Sequence, residues 1–278
     1  MEVGVAVFAT DRSWPVDDLA REVEARGLAS LALPEHTHLP VDHTPHPSGQ
    51  PLPDEYRRTL DPFVALAVAA TVTERLRLLT GVTLVAQRDP LVLAKEVATL
   101  DLLSGGRVTV GVGYGWDRPE VAHHGVPFAE RRAAVQDRVA AMRSLWTEDV
   151  ASSDRPYARF GPTWSWPKPV QHPHPPLLLG AGLGPRTLRD LVEAFDGWLP
   201  IGASAVREGL PGLRDAWEAA GRSGRPLVHV YGTRPEAEML RELAELGVDA
   251  VSLWLPSAPR AEALPVLDAI AAAAEGLS

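Results

Sequence analysis

The chain has 278 residues, 45% of them hydrophobic and 23% charged, so it can bury one large core; a formal charge of −9, with lysine only at 95 and 168, argues against a nucleic-acid partner. The absence of cysteine removes thiol catalysis, disulfides, iron–sulfur clusters and cysteine-ligated zinc. No basic leader opens the chain and no apolar run is long enough to span a bilayer, so a cytoplasmic protein without a membrane partner is expected.

Val3–Val7 reads as a wholly apolar strand, followed at helical spacing by Val16, Leu19, Ala20 and Val23, with Gly27 as the stop. Ser30–Pro34 is the next apolar run and leads through Glu35-His36-Thr37-His38 into a long Pro- and His-rich loop, Leu39–Arg58. Asp61-Pro62 and Asp89-Pro90 each open a helix, Phe63–Val72 and Leu91–Leu103, with Asp as N-cap and Pro in the first turn. These flank a buried strand, Leu76–Thr80; a Ser-Gly-Gly turn then leads to Arg107–Gly111, which ends in Gly111-Val112-Gly113-Tyr114-Gly115-Trp116.

A loop follows, and then a helix from Phe128 to Trp146. Glu148–Pro175 lacks periodicity and reads as an inserted loop or small hairpin. Pro176–Leu179, Gly197–Ile201, Leu227–Tyr231 and Ala250–Leu255 are short apolar strands, and helices start at Pro185, Ala205, after a Thr233/Glu236 capping box, and at Ala261. Eight apolar strands, each followed by a helix, fit a single (β/α)₈ barrel over residues 1–278, with insertions after the second strand and before the fifth. A doubly wound open sheet is the alternative.

A barrel builds its active site at the C-terminal strand ends, where this sequence places Glu35-His36, Gly81-Val82-Thr83, Gly111–Trp116, Gly180–Gly184, Trp198, Tyr231 and Trp254. Glycine-lined backbone with aromatics suits a large planar ligand carrying a phosphate, and the glycines before the helix at Pro185 suit an anion. Gly111–Gly115 fails the dinucleotide fingerprint, because Trp116 stands where the third glycine belongs and no helix begins there. His36 is either a satisfied core histidine or a proton donor. His36-Thr37-His38 with His43 and His46 also raises a metal-hydrolase reading, but that device belongs on the first strand and no Asp closes the eighth, so no metal is assigned.

The run from Thr80-Gly81-Val82 through Asp89-Pro90, Asp101, Ser104-Gly105-Gly106-Arg107 and Gly111–Trp116 resembles the luciferase-like monooxygenase superfamily, and most of all its coenzyme F420-dependent oxidoreductases. Pro34-Glu35-His36, Gly125-Val126-Pro127-Phe128, Pro167-Lys168-Pro169-Val170-Gln171 and Asp196-Gly197-Trp198 extend the resemblance over nearly the whole chain. It implies a deazaflavin at the barrel mouth, a homodimer, and hydride transfer to a small organic substrate, with FMN-dependent monooxygenation and non-catalytic F420 binding as alternatives. By the same resemblance a cis peptide at Gly81–Val82 backs the ring, and His36 is catalytic. Glu35, Thr80, Gly81, Val82, Thr83, Gly111, Gly113, Tyr114, Gly115, Gly180, Ala181 and Gly182 hold the cofactor. One departure stands out, since the sugar-phosphate dehydrogenases of this group carry a catalytic Glu where this chain has Trp116. Trp116, Trp164 and Trp254 are therefore expected to wall an apolar substrate pocket.

Overall fold

The computed structural model describes residues 1–277. Eight parallel strands close into a barrel: β1 (Glu2–Ala6), β2 (Ser30–Leu33), β3 (Arg77–Thr83), β4 (Val108–Val112), β7 (Leu177–Leu179), β8 (Gly197–Trp198), β9 (Leu227–Thr233) and β10 (Ala250–Trp254), with β10 pairing back onto β1. Their helices are α1 (Val16–Ala25), α2 (Pro62–Val72), α3 (Pro90–Ser104), α5 (Arg131–Thr147), α6 (Pro185–Ala194), α7 (Ala203–Ala219), α8 (Ala237–Glu245) and α9 (Arg260–Glu275). The remaining elements are a short helix, α4 (Arg118–His123), and an antiparallel hairpin of β5 (Ala151–Arg155) and β6 (Ala158–Thr163). That hairpin fills the insertion expected before the fifth barrel strand.

The main core lies between sheet and helices, where Leu31, Leu66, Leu78, Leu93, Val97 and Met142 are fully enclosed. A smaller cluster of Ala6, Ala32, Leu79, Leu178, Leu199 and Tyr231 plugs the barrel interior. Small residues on β1 and β2 leave room for larger ones from the other strands, so the barrel is filled rather than hollow.

Both Asp-Pro signals act as N-caps. One oxygen of Asp61 accepts from Phe63 N and Val64 N, and one of Asp89 from Leu91 N and Val92 N. The capping box expected at Thr233/Glu236 does not form: Thr233 ends β9 and its hydroxyl turns to the Met239 sulfur, while Glu236 caps α8 with no side-chain bond. Two polar residues at the junction of α3 and β4 are structural. Buried Asp101 accepts from Val170 N, Gln171 N and Gln171 Nε2, pinning the long insertion to α3. Arg107 donates to the carbonyls of Ala70, Thr73, Leu76 and Ser104, gathering the exposed helix ends around the base of β4.

Candidate active site

β2 delivers Pro34-Glu35-His36 to the C-terminal mouth. The Glu35 carboxylate is fully engaged: one oxygen accepts from the Thr83 hydroxyl at 2.5 Å and Leu84 N at 2.9 Å, the other from Arg88 Nε at 2.6 Å. His36 is buried, with Nδ1 2.9 Å from Oε2 of Glu120, a residue of α4 with no exposed surface. A neutral imidazole donating Nδ1–H to that carboxylate keeps a lone pair on Nε2, and an imidazolium donates from both nitrogens. Nε2 has no protein partner among the described residues, so His36 can take or give one proton at that atom.

His36 lines a cavity of about 500 Å³ whose walls include Phe8, Tyr56, Val82, Trp116, Tyr231 and Trp254. The 39–58 loop forms one side, bringing His46 and Tyr56 together at 3.0 Å between Nε2 and hydroxyl. The ring of His36 lies 5.3 Å from Tyr56 and 5.8 Å from Trp116, and His46 lies 5.5 Å from Trp116, so these rings make one compact wall. Burial first, and then the charge of nearby His36, holds His46 below the usual histidine range. Across the cavity Tyr231 packs edge-on to Trp254 at 5.1 Å. Its buried hydroxyl has no partner among the described residues, and burial pushes its pKa well up, so it remains a protonated donor. Glu35 is the one carboxylate in the wall, and it is spent on its own neighbours. The cavity therefore offers no free charge to a substrate.

The Gly81–Val82 peptide is cis, and both residues line this cavity. A side chain at Gly81 would overlap the Tyr231 ring, while Gly113 and Gly180 make room for the methyls of Val82. These glycines thus allow the β3 bulge to sit against β4, β7 and β9. Thr80, Thr83 and Gly111 depart from the expected cofactor contacts. The Thr80 hydroxyl bonds to Gly111 O at 2.9 Å, Thr83 bonds to Glu35, both threonines are fully enclosed, and Gly111 faces the Thr80 carbonyl. They support the bulge from beneath, as Glu35 does.

Tyr114 donates to Asp190 at 2.7 Å, Gly115 has φ +79°, and the carbonyl of Ala181 accepts from Trp198 Nε1 at 2.8 Å. Open space surrounds Gly182. Trp116 and Trp254 reach the cavity, whereas Trp164 follows the β5–β6 hairpin, is 75% exposed and does not line it. The histidines of the loop diverge, because His36 turns to Glu120 whereas His38 Nε2 meets His123 Nδ1 at 2.9 Å.

The family model for luciferase-like monooxygenases matches residues 15–274. The chain belongs to the luciferase-like monooxygenase family. Within that family it is 41% identical over 277 residues to the uncharacterized protein Rv0953c of Mycobacterium tuberculosis, covering 98% of both chains. It is 31% identical over 137 residues to the FMNH(2)-dependent dimethylsulfone monooxygenase of Pseudomonas putida (48% of this chain, 37% of the other). It is 32% identical over 152 residues to the putative coenzyme F420-dependent oxidoreductase Rv3520c of M. tuberculosis (51% and 44%). Among solved structures, the monooxygenase RslO1 of Streptomyces bottropensis superposes with a TM-score of 0.82 at 22% identity, covering 98% of both chains. An F420-dependent secondary alcohol dehydrogenase superposes at 0.77 and 16% identity, covering 100% of both.

Two site residues of this luciferase-like barrel, Glu120 and Tyr56, escape the sequence reading, and His46 enters it only in the metal reading. Glu120 lies in α4, within a stretch that reads as loop; its signal is Asp117-Arg118-Pro119, a third Asp and Pro at a helix start. His46 and Tyr56 come from a loop whose composition says nothing of where it folds.

Proposed function

We propose that this chain is a coenzyme F420-dependent oxidoreductase that moves a hydride between the deazaflavin and a neutral, largely apolar organic substrate. The observation that carries this reading is the buried His36–Glu120 pair facing an uncharged, aromatic-walled cavity. Glu120 orients the imidazole through Nδ1, and Nε2 exchanges the proton that accompanies a hydride. The residues present fit a flat polar ring: Gly81 and Val82 give it a shelf, the orphan Tyr231 hydroxyl a donor, and Gly182 an open backbone for its polar chain. Bound F420 supplies a two-electron hydride carrier. The aromatic wall excludes water and aligns the substrate. The same reading carries a cytoplasmic homodimer.

FMN-dependent monooxygenation is the second reading, favoured by the similarity to the dimethylsulfone monooxygenase. Parallel titration of the purified protein with F420 and FMN separates the two, because Trp116 and Trp254 make tryptophan fluorescence a reporter of the cavity. Quenching by F420 at concentrations where FMN is silent is expected. Tight FMN binding without F420 binding overturns the proposal.

A further inference from the structure

His36 and Tyr231 do not exhaust the polar edge of the cavity, because the 39–58 loop brings a second phenol to it in Tyr56. The Thr59 hydroxyl bonds to the carbonyl of His36 at 3.0 Å and to that of Tyr56 at 3.3 Å, which ties the loop end to the strand end bearing the histidine. The Tyr56 ring packs between Phe8, at 4.5 Å between centroids, and His36, at 5.3 Å. Burial first, and then the charge of Glu55, raise its pKa, so the phenol keeps its hydrogen.

His46 decides where that hydrogen goes. The backbone N–H of Ser48 can only donate, and it lies 3.3 Å from His46 Nδ1, so this nitrogen is an acceptor. The Ser48 hydroxyl donates to the same nitrogen at 2.6 Å, while its own oxygen accepts from Gln50 N at 3.3 Å. A neutral imidazole that accepts at Nδ1 carries its hydrogen on Nε2, and His46 is held on the neutral side of the usual histidine range. Nε2 therefore donates to the Tyr56 oxygen at 3.0 Å. The phenol hydrogen has no acceptor among the described residues and is left for whatever fills the cavity. Neutral His36 presents the opposite polarity beside it, a lone pair on Nε2.

We infer that Tyr56 is a substrate-binding residue that donates to an uncharged acceptor oxygen, and that His46 is the positioning residue that aims it. The loop thereby selects a substrate bearing such an oxygen over a hydrocarbon of the same shape. The inference rests on the reading of this cavity as the substrate site and holds for either cofactor.

The test measures, by calorimetry on the purified protein, the binding of acetophenone and of α-methylstyrene, which replaces the carbonyl oxygen by a methylene. One neutral hydrogen bond corresponds to about fivefold in affinity. Tyr56→Phe should weaken acetophenone by about that factor and leave α-methylstyrene unchanged. His46→Leu should do the same, and His46→Gln, whose amide N–H can still donate to the phenol, should restore the wild-type preference. Equal losses for both probes, or no loss for acetophenone, overturn the inference while the cofactor reading stands. A measurement that needs no variant is the nitrogen-15 spectrum of His46 at about pH 8, where histidines are neutral. A hydrogen on Nε2 is expected, and one on Nδ1 overturns the inference. Failure of both probes to bind, with F420 or without it, removes the cavity as substrate site and takes the proposed function down with this inference.

Discussion

His36 can work at its Nε2 because its Nδ1 is already held by a carboxylate that water does not reach. An oriented histidine of this kind contributes about 10²–10⁴-fold to a proton transfer, so His36→Ala should lower kcat by about 100-fold or more with cofactor affinity within a few-fold; unchanged turnover would leave only a binding role. Glu120→Gln keeps the shape but replaces the carboxylate that holds Nδ1 with a neutral amide. A fall in kcat of about tenfold, with KM and melting temperature nearly unchanged, is expected for a residue acting through His36. Tyr231 poses a different question, because its hydroxyl is buried without a partner among the described residues, and an unpaired buried hydroxyl costs about 1–3 kcal/mol. Tyr231→Phe should therefore raise the melting temperature of the ligand-free protein and weaken cofactor or substrate binding. A variant that is less stable, and binds as well as the parent, would mean that the hydroxyl has a protein partner instead.

At the scale of elements, the site is a bulge at the end of β3 propped by β2 and its neighbours. Glu35 accepts from Thr83, Leu84 and Arg88, and Arg88 also engages Asp61 and Glu96, which ties the bulge to the N-cap of α2 and to the second turn of α3. Glu35→Ala leaves a largely buried guanidinium and two buried donors short of their acceptor. A loss of about 3–5 kcal/mol in urea unfolding is expected, and a loss below 1 kcal/mol would show that the carboxylate is dispensable. The barrel itself was legible because each strand is apolar on both faces and because Asp-Pro at 61 and 89 marks two helix starts with unusual clarity. Strand-end position likewise singled out His36, Gly81, Val82, Trp116 and Trp254. Glu120 was not legible, since a six-residue helix shows too little periodicity to orient a side chain. Trp164 shows the opposite limit: a tryptophan between prolines reads as a wall residue, and the hairpin before it carries it to the surface, away from this cavity. Glycines mislead in their own way, because the close approach they permit at Gly111, Gly113 and Gly180 is filled by the protein's own Thr80 and Val82.

For the molecule as a whole, the two ends of the barrel answer to different demands. The mouth holds the His36 cavity, while the N-terminal end holds His229, buried on β9 with Nε2 2.8 Å from the Ser252 hydroxyl. Burial holds its pKa down to about 4, against a smaller upward pull from Asp249 and a further downward push from Arg77. The unfolded chain takes up this proton first, so the stabilisation is complete above about pH 6.5, declines as pH falls towards 4 and is then exhausted, for a total of about 3 kcal/mol. His229→Gln should flatten the urea midpoint between pH 6.5 and 4, and an unaltered slope would assign acid sensitivity elsewhere.

The outer surface carries a second demand. α2 is apolar on every side, which a helix facing water on one side cannot easily sustain. It buries Phe63, Leu66 and Ala70 inward, yet leaves Val64 68% and Val68 42% exposed beside Val92 at 55% and Leu103 at 65% on α3. Together they frame a groove of about 840 Å³ with few charges at its edge. A two-fold related copy of the same helices fits such a face, since an apolar patch is its own complement across a dyad. Light scattering behind size exclusion should then give about twice the chain mass of 29.9 kDa, and Val64→Asp with Val92→Asp should halve it, because each buried carboxylate would lack a partner. A wild-type protein that elutes as a monomer at micromolar concentration, or a double variant that stays dimeric, would remove α2 and α3 from the interface.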